Sequence, residues 1–498
     1  MRTWWDLLAV HGPSFGYHLN PSKTWLLTKS EKRGEAERLF ADTGVQITAE
    51  GVRHLGSALG SKEYQEKFYE TKVGGWLAEL KRLSSYAQAQ PQLAYCALTQ
   101  ALAGKWSFGM RTAEGGLDAL LQPLEDVLSE RFIPALIGNS SPNDNMRALF
   151  GLPVRYGGLG IGQPVIMSPK EYQRSRKATA SLVKVILEQH GKENPADLLA
   201  VLAEQSMALA ELKKIKAKDQ REQSDGLYNC LPRSLQRAVD HARETGASTW
   251  LTARPIKEHG FALHKCAFRD AVAMRYGLEP LNLPTHCVCG EAFNVAHALS
   301  CPRKGYIISR HNEIRDLTAE LLSEVCTDVE VEPTLIPVGN HVLHSTAIKD
   351  DAARLDIKAS GLWGGRFEQA FFDVRVFNPC ASSNLASKPI VAFRRHENQK
   401  RNHYDQRIRE VEMATFTPLV FSACGGMGPG ATATVKRIAS LLADKWAQPY
   451  SRLMCWLRCR YGFALIRASV MCLRGSRQRH TGLTRPDLAL AEARVSNH

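Results

Sequence analysis

Two short segments, each alternating apolar and polar residues around a single aspartate, constrain this chain more than any other feature. They read ARLDIKA over 353–359 and QAFFDVRVF over 369–377. Because strand side chains point alternately to opposite faces, one face of each predicted strand is largely apolar and the other carries Asp356 or Asp373. Together with the helical and apolar patterns on either side, they predict one unit over 310–446, in the order helix, three strands, helix, strand, helix.

The alternation assigns the side chains of both predicted strands to faces. Leu355 and Ile357 are expected to share one face of the first strand, and Asp356 and Lys358 to share the other. In the second strand, the alternate apolar side chains oppose Asp373. Two neighbouring strands that each present a carboxylate beside a basic group can cradle a divalent cation and a phosphate.

Paired carboxylates of this kind suit the cutting of a phosphodiester. Asp356 and Asp373 can hold Mg²⁺, which polarises a scissile phosphate and lowers the pKa of bound water, and a nearby lysine can orient that water. A simpler alternative is that both aspartates form ion pairs with Arg354 and Arg375 on the same strands. Such pairs are common and imply no catalysis, so the residues alone leave both interpretations open.

Two acidic residues outside these strands are candidates for a further metal ligand. Glu313 lies in the first predicted helix, RHNEIRDLTAELLSEV at 310–325, near an end that can face the cleft. Glu332 lies in the predicted strand VEVEPTLIP at 329–337, opposite its valines. Either carboxylate can supply a ligand beyond the two aspartates.

The next predicted helix, over 394–414, is rich in basic residues. Helical spacing places four of its residues on one stripe, namely Lys400, Tyr404, Arg407 and Val411. An apolar strand and an amphipathic helix then complete the unit.

Four potential zinc ligands cluster just before this unit, namely Cys287, Cys289, His297 and Cys301. Three thiolates and one imidazole form a tetrahedral set that suits structural zinc. Gly290 allows the tight turn that two close ligands require. The single residue between the first two cysteines is shorter than the usual gap of two to four, so coincidence in a cysteine-rich chain is the alternative. His286 is a substitute ligand in the same segment.

The composition favours an intracellular protein with a polyanionic partner. The chain has 64 Lys and Arg against 50 Asp and Glu, a formal net charge of +14, which suits nucleic acid better than a membrane surface. The alternative is an ordinary soluble basic protein. No stretch reaches the ~20 apolar residues of a membrane span, and the N-terminus lacks the apolar core of a signal peptide. Its 12 cysteines are scattered, so the Cys/His cluster indicates metal rather than disulfides in a reducing compartment.

The patterns divide the chain into five predicted segments, which make the fold class multidomain α/β. They are a mixed N-terminal block (1–165), a charged helical connector (166–250), the Cys/His region (251–305), the two-aspartate unit (306–447) and a basic helix and tail (448–498). The end of the tail is rich in Ser, Arg and Ala and is expected to be disordered.

Taken together, these features resemble a known protein family. Cys-x-Cys, His and Cys, followed by RHN, Arg-Leu-Asp and a later aspartate, are similar to the C-terminal part of site-specific non-LTR retrotransposon proteins. In that family a zinc knuckle precedes a restriction-like endonuclease of the PD-(D/E)xK type, which nicks the DNA target. The resemblance implies an αβββαβ fold, structural Zn²⁺, catalytic Mg²⁺ and a DNA partner.

The same resemblance implies roles for single residues. Asp356 matches the first aspartate of the motif, and Asp373 matches its second acidic residue. Arg375 stands where a lysine is usual, so Lys400 on the following helix is the best candidate for the catalytic lysine and Lys358 is the second. The residues expected to contact nucleic acid are Lys23, Arg310, His311, Tyr404 and Arg407.

The N-terminal block resembles a late part of a reverse transcriptase. GYHLNPSKTWLL at 16–27 is similar to the lysine-bearing strand and turn of the palm, with Lys23 at the lysine, and HLGSALG at 54–60 is similar to the primer grip. The helices that follow would be the thumb, which implies an RNA template as a partner. The only Asp-Asp pair, Asp350-Asp351, is not preceded by an aromatic motif, so this chain is not expected to polymerise. The alternative is a generic α/β block.

The sequence therefore predicts a retroelement-derived, Mg²⁺-dependent DNA endonuclease in the nucleus, without a membrane partner. Two other classes stay open. One is a nucleic-acid-binding remnant without catalysis, and the other is a zinc-stabilised interaction module whose charge serves solubility. The oligomeric state and the DNA target site are not indicated.

Overall fold

The computed structural model describes residues 1–113, 116–138, 141–188 and 195–476. It is a mixed helix and sheet structure, and the chain forms two compact units, Met1–Leu231 and Pro232–His498. The disorder expected at the end of the tail concerns 477–498, which lies outside the described residues.

The first unit is mainly helical. Its helices are α1 (Arg2–His11), α2 (Arg33–Leu39), α3 (Lys62–Ala89), α4 (Pro91–Ala97), α5 (Ala103–Thr112), α6 (Asp118–Val127), α7 (Ile133–Ile137), α8 (Asp144–Gly151), α9 (Pro164–Glu188) and α10 (Pro195–Cys230). Its strands are β1 (Trp25–Leu27), β2 (Gln46–Thr48), β3 (Gly51–His54) and β4 (Ser57–Gly60). β1 and β2 pair in parallel, and β3 and β4 form an antiparallel hairpin.

The segment predicted as a connector is shared between the two units. Its first helix, α9, packs against α5, α6 and α10. Two buried polar groups hold α9 in place: Ser168 Oγ accepts a hydrogen bond from the N–H of Leu117 at 2.9 Å, and Glu171 pairs with Arg111 at 3.0 Å. Residues 232–250 belong to the second unit instead.

The second unit is built on a mixed sheet. Its strands, in spatial order, are β5 (Thr327–Val331), β6 (Ile357–Ser360), β7 (Gln369–Phe377) and β8 (Thr415–Ser422). β6 is antiparallel to β5 and to β7, and β8 is parallel to β7. Its helices are α11 (Arg233–Ala242), α12 (Thr249–Thr252), α13 (Lys265–Tyr276), α14 (Val295–Ala298), α15 (Tyr306–Ser323), α16 (Ser382–Leu385), α17 (Pro389–Glu410), α18 (Pro429–Trp446) and α19 (Tyr450–Arg474).

Elements α15, β5, β6, β7, α17, β8 and α18 follow one another in the predicted order, with the one-turn helix α16 added before α17. The first strand is shorter than predicted, because β5 ends at Val331. Glu332 then has a positive φ of 56°, and Pro333 has no N–H to donate to a ladder.

The sheet buries both of its faces. One face packs with α15, α18 and α19 in a large apolar cluster that includes Ile357, Phe372 and Val374. The other face contributes Phe371 to a smaller cluster that also contains Leu355. The prediction that Leu355 and Ile357 share a face is therefore wrong. The alternation fails because β6 begins only at Ile357, after a bend at Asp356.

The C-terminal helix α19 is part of this core. Leu457, Tyr461 and Leu465 are fully buried in the large cluster, and the Tyr461 hydroxyl lies 3.0 Å from Thr318 Oγ1 on α15. Among the helices in the described ranges, none combines the length and apolarity needed to cross a membrane.

Candidate functional site

Asp356 lies where β6 and β7 separate. The last residue pair of this ladder is Ile357 with Phe372. Beyond it, the Asp356 side chain, rather than its backbone, binds β7: Oδ2 accepts the N–H of Val374 at 2.6 Å. Oδ1 lies 3.1 Å from His311 Nε2 on α15. The carboxylate therefore bridges the sheet and the first helix of the unit.

Asp373 lies on β7 beneath α17 and is 4% exposed. The Lys400 amine is 2.7 Å from Oδ2 and 3.0 Å from Oδ1. The pKa of Asp373 is raised to about 6, chiefly by burial; the Lys400 charge opposes this rise and the neighbouring Asp356 charge adds to it. Within the described chain, Oδ2 is buried and accepts no well-aligned hydrogen bond. Both oxygens of this buried carboxylate therefore share one positive partner, the Lys400 amine.

Tyr404, on the same helix as Lys400, also lies near the two aspartates. The Lys400 amine lies 5.6 Å from the centre of its ring. Burial raises the pKa of Tyr404 to about 12, and the charges of Asp373 and Asp356 add to that effect. The structure thus brings together five residues chosen from the sequence, namely His311, Asp356, Asp373, Lys400 and Tyr404.

The contact partners of the two aspartates are His311 and Lys400, not the two strand arginines of the alternative interpretation. Arg375 instead donates from Nη1 to Gln399 Oε1 at 3.0 Å, and burial lowers its pKa. Gln399 was not found from the sequence. The sequence feature that could have identified Gln399 is its position next to Lys400 in the same predicted helix.

The two additional acidic candidates lie elsewhere. Glu313 lines a cleft between α15 and α19 beside Arg467, whose charge it stabilises. Since residues two apart on a helix point in very different directions, Glu313 cannot share the face of His311. Glu332 is paired with Asp356 through the backbone, since its N–H donates to the Asp356 carbonyl oxygen at 2.9 Å. Its carboxylate contacts Arg315, a second residue that sequence reasoning missed.

Lys358, the second candidate for the catalytic lysine, points toward the neighbouring strand β5. Its amine is 4.0 Å from Glu330 on β5 and 5.9 Å from the centre of the Phe371 ring. Lys400 is therefore the lysine that contacts a candidate metal ligand. Lys23 is exposed at the end of a short 3₁₀ turn, Pro21–Lys23, in the first unit.

Two arginines expected to contact nucleic acid lie in the interior. Arg407 is fully buried and donates to the backbone oxygens of Ile336 and Asp350 at 2.9 and 2.7 Å. Arg310 is 3% exposed, and its Nη2 donates to the Val376 oxygen at 3.3 Å. Neither guanidinium is presented to solvent. The prediction that both contact nucleic acid is therefore corrected: they bind backbone oxygens inside the fold and do not form a phosphate-binding surface.

The segment 285–301, called the knuckle below, brings the four potential zinc ligands together. Their ligand atoms lie within 4.8 Å of one another. The sulfurs of Cys287 and Cys301 are 3.8 Å apart, and Cys289 Sγ is 3.4 Å from His297 Nε2. Two sulfurs bound to zinc at about 2.3 Å in a tetrahedron would be about 3.8 Å apart. The cluster therefore fits a zinc ion.

Local backbone geometry creates the knuckle. Gly290 has a φ of 93°, and its N–H donates to the Cys287 oxygen at 2.9 Å. The backbone N–H of Glu291 lowers the pKa of the Cys289 thiol, which favours its thiolate, whereas burial raises the pKa of the Cys287 thiol. His286 faces Thr285 at 3.2 Å and is not among the four clustered ligands.

Comparison of the chain with protein-family models and with curated proteins gives no match. The function has to be inferred from the two sites themselves.

Proposed function

We propose that the second unit is a restriction-like, Mg²⁺-dependent DNA endonuclease derived from a retroelement. The observation that carries this proposal is the convergence of groups from three elements. Asp356 precedes β6, Asp373 lies on β7, and Lys400 on α17 places its amine 2.7 Å from Asp373 Oδ2. The order of helices and strands around them agrees with the αβββαβ arrangement that the family resemblance implies.

The donor set suits a divalent cation. Asp356 and Asp373 offer carboxylate oxygens, which are the ligands that Mg²⁺ prefers, and both oxygens of the buried Asp373 share a single amine, that of Lys400. A Mg²⁺ ion bound by these residues would polarise the scissile phosphate and lower the pKa of a bound water.

The protein residues then have separate tasks. His311 and the N–H of Val374 orient the Asp356 carboxylate. Lys400 has a side chain that is 24% exposed, so its amine can leave Asp373 for an incoming water or a phosphate oxygen. At that position a lysine stabilises the negative charge that develops during hydrolysis.

Nicking of supercoiled plasmid by the purified full chain tests the proposal. We expect Mg²⁺-dependent nicking that Asp373→Ala and Asp356→Ala abolish. Asp444→Ala is a matched control, because it removes an exposed carboxylate from α18. Absence of nicking in the wild type, or equal nicking in all four proteins, would contradict the proposal.

A second candidate is a nucleic-acid-binding protein without catalysis. Both oxygens of Asp356 already accept contacts, from His311 and from Val374, which is the pattern of a carboxylate that holds structure. The net charge of +14 supports binding to a polyanion in either case. This candidate predicts DNA binding that falls steeply with salt and does not change in Asp373→Ala. Binding that is absent or insensitive to salt would leave only a zinc-stabilised interaction module.

The proposed origin extends to the rest of the chain. A nuclear location and a DNA target follow from the endonuclease proposal, and an RNA template follows from the resemblance of the first unit to a reverse transcriptase thumb. Gel-shift experiments with DNA and RNA duplexes of equal length would separate these partners.

A further inference from the structure

A buried amide joins the knuckle to the strand that carries Asp373. Asn378 directly follows β7 and is 7% exposed. Its Nδ2 donates to the backbone oxygen of Ala296 at 2.8 Å and to Oγ of Ser300 at 2.7 Å. Its Oδ1 accepts the N–H of Cys380 at 2.9 Å. Both ends of the amide are therefore engaged.

These partners determine which way the amide faces. The oxygen of Ala296 can only accept a hydrogen bond and the N–H of Cys380 can only donate one. Asn378 must therefore present its nitrogen to the first and its oxygen to the second. An aspartate of the same shape would place a carboxylate oxygen against the Ala296 oxygen, so a change of one atom disrupts the contact without changing the volume.

Each acceptor on the knuckle stands next to a metal ligand. Ala296 precedes His297 in the chain, and Ser300 precedes Cys301. The N–H of Cys301 also donates to the His297 oxygen at 2.8 Å. A metal ion that fixes these two ligands would therefore fix the two acceptors that hold Asn378.

The knuckle has few other sources of order. Its regular structure is the one-turn helix α14 and a short antiparallel bridge between His286 and Ala292. Its buried apolar contacts are few: Cys287, Phe293, Ala298 and Cys301 pack with Leu473 of α19, and Leu299 packs with Ala423 and Cys472. Small metal-binding segments of this kind derive most of their folding free energy from the metal, so the positions of the acceptors should depend on zinc.

On its other side, Asn378 is connected to α17. Asn384 Nδ2 donates to the Asn378 backbone oxygen at 2.8 Å, and the Arg395 guanidinium donates to Asn384 Oδ1. Arg395 lies on the same helix as Lys400. The hydrogen bonds thus reach both elements that supply the candidate site, β7 with Asp373 and α17 with Lys400.

We propose that Asn378 is a positioning residue through which the zinc state of the knuckle sets the affinity of the Asp356–Asp373 site for a divalent cation. The inference rests on the proposed function, because it assumes that the two aspartates hold that cation. Residues that couple two sites without touching either ligand typically change the affinity by about 2- to 30-fold when they are replaced. Replacement of a purely structural residue would lower thermal stability without changing the affinity for the divalent cation.

Mn²⁺ binding by the zinc-loaded full chain, measured by titration calorimetry, tests the coupling. Asn378→Asp should weaken Mn²⁺ binding about tenfold while zinc content stays unchanged. Asn340→Asp, which makes the same chemical change at an exposed position, should bind like the wild type. Cys289→Ser, which removes a zinc ligand, should weaken Mn²⁺ binding in the wild-type background and add little to Asn378→Asp.

Equal Mn²⁺ affinity in the wild type and Asn378→Asp would overturn the coupling and leave the proposed function intact. If the proposed function itself is wrong, the result differs: wild-type Mn²⁺ binding is absent, or Asp373→Ala does not change it. If Asn378→Asp does not fold, Ser300→Ala removes one acceptor from an exposed residue and should weaken binding about threefold. Unchanged binding in that variant would likewise overturn the coupling.

Discussion

Replacement of Asp373 by asparagine should make the protein more stable at neutral pH when no divalent cation is bound to the site. Burial raises the pKa of Asp373 from 3.8 to about 6. The folded protein therefore holds this proton more tightly than the unfolded chain does, and ionisation of Asp373 opposes folding. Asparagine has the shape of the protonated acid but cannot ionise.

The magnitude and the pH window follow from the same pKa. A pKa of about 6 in place of 3.8 corresponds to about 3 kcal/mol of folding free energy. Below pH 3.8 the carboxyl is protonated in both states, and the penalty is absent. As the pH rises from about 4 to about 6 the penalty develops, and above pH 6 it is complete. This contribution of Asp373 thus decreases stability as pH rises, opposite to that of a carboxylate in a stabilising ion pair.

Scanning calorimetry in zinc-containing buffer without Mg²⁺ measures the effect. For a folding unit of this size, about 3 kcal/mol corresponds to an increase in Tm of up to about 10 °C. Asp373→Asn should show most of this increase at pH 7.5 and almost none at pH 4. Asp444→Asn, at an exposed position on α18, controls for the change in net charge. Added Mg²⁺ should stabilise the wild type more than Asp373→Asn, because a ligand that binds the native state raises its stability.

Two results would refute this reasoning. If Asp373→Asn is less stable than the wild type at pH 7.5, the ion pair with Lys400 outweighs the cost of burial. If the difference between the two proteins is the same at pH 4 and pH 7.5, then ionisation of Asp373 is not the cause.

Three further predictions concern the other charged and metal-binding residues. Arg407→Met should lower the free energy of unfolding by about 2–4 kcal/mol, because backbone oxygens lose a buried donor, and it should leave the salt dependence of DNA binding unchanged in filter-binding assays. Cys301→Ser should abolish zinc binding measured by mass spectrometry, whereas His286→Ala should retain it. Lys400→Met should abolish plasmid nicking and raise the pKa of Asp373 above about 6, since Lys400 lowers it, which the pH dependence of Mn²⁺ binding would report.

The sequence predicts the sheet unit well because its signals are local. Alternation around Asp373 identifies β7, and helical spacing identifies α17 with Lys400 on the stripe that faces the sheet. The knuckle ligands are also found from local spacing. Each of these patterns is fixed by residues a few positions apart, which is the range over which strand and helix geometry act.

Where prediction fails, long-range contacts decide the structure. Arg407 is on the same helical stripe as Lys400, yet it is buried, because the chain at 336–350 folds over it and supplies its acceptors. The faces assigned to Leu355 and Ile357 were wrong, because Asp356 leaves the ladder to bind the N–H of Val374. A periodic pattern does not contain either contact.

The energetics of Asp373 bear on whether the site is structural or functional. A carboxylate that serves stability should have a pKa below its usual value, because its native contacts favour the charged form. Asp373 does not have such a pKa, because burial outweighs the attraction of Lys400 and raises its pKa. A buried acid that destabilises the free protein is best explained by a ligand whose binding offsets the free-energy cost of desolvating the carboxylate. Both carboxylate oxygens share the single amine of Lys400, and a divalent cation bound to the carboxylate would supply further positive charge.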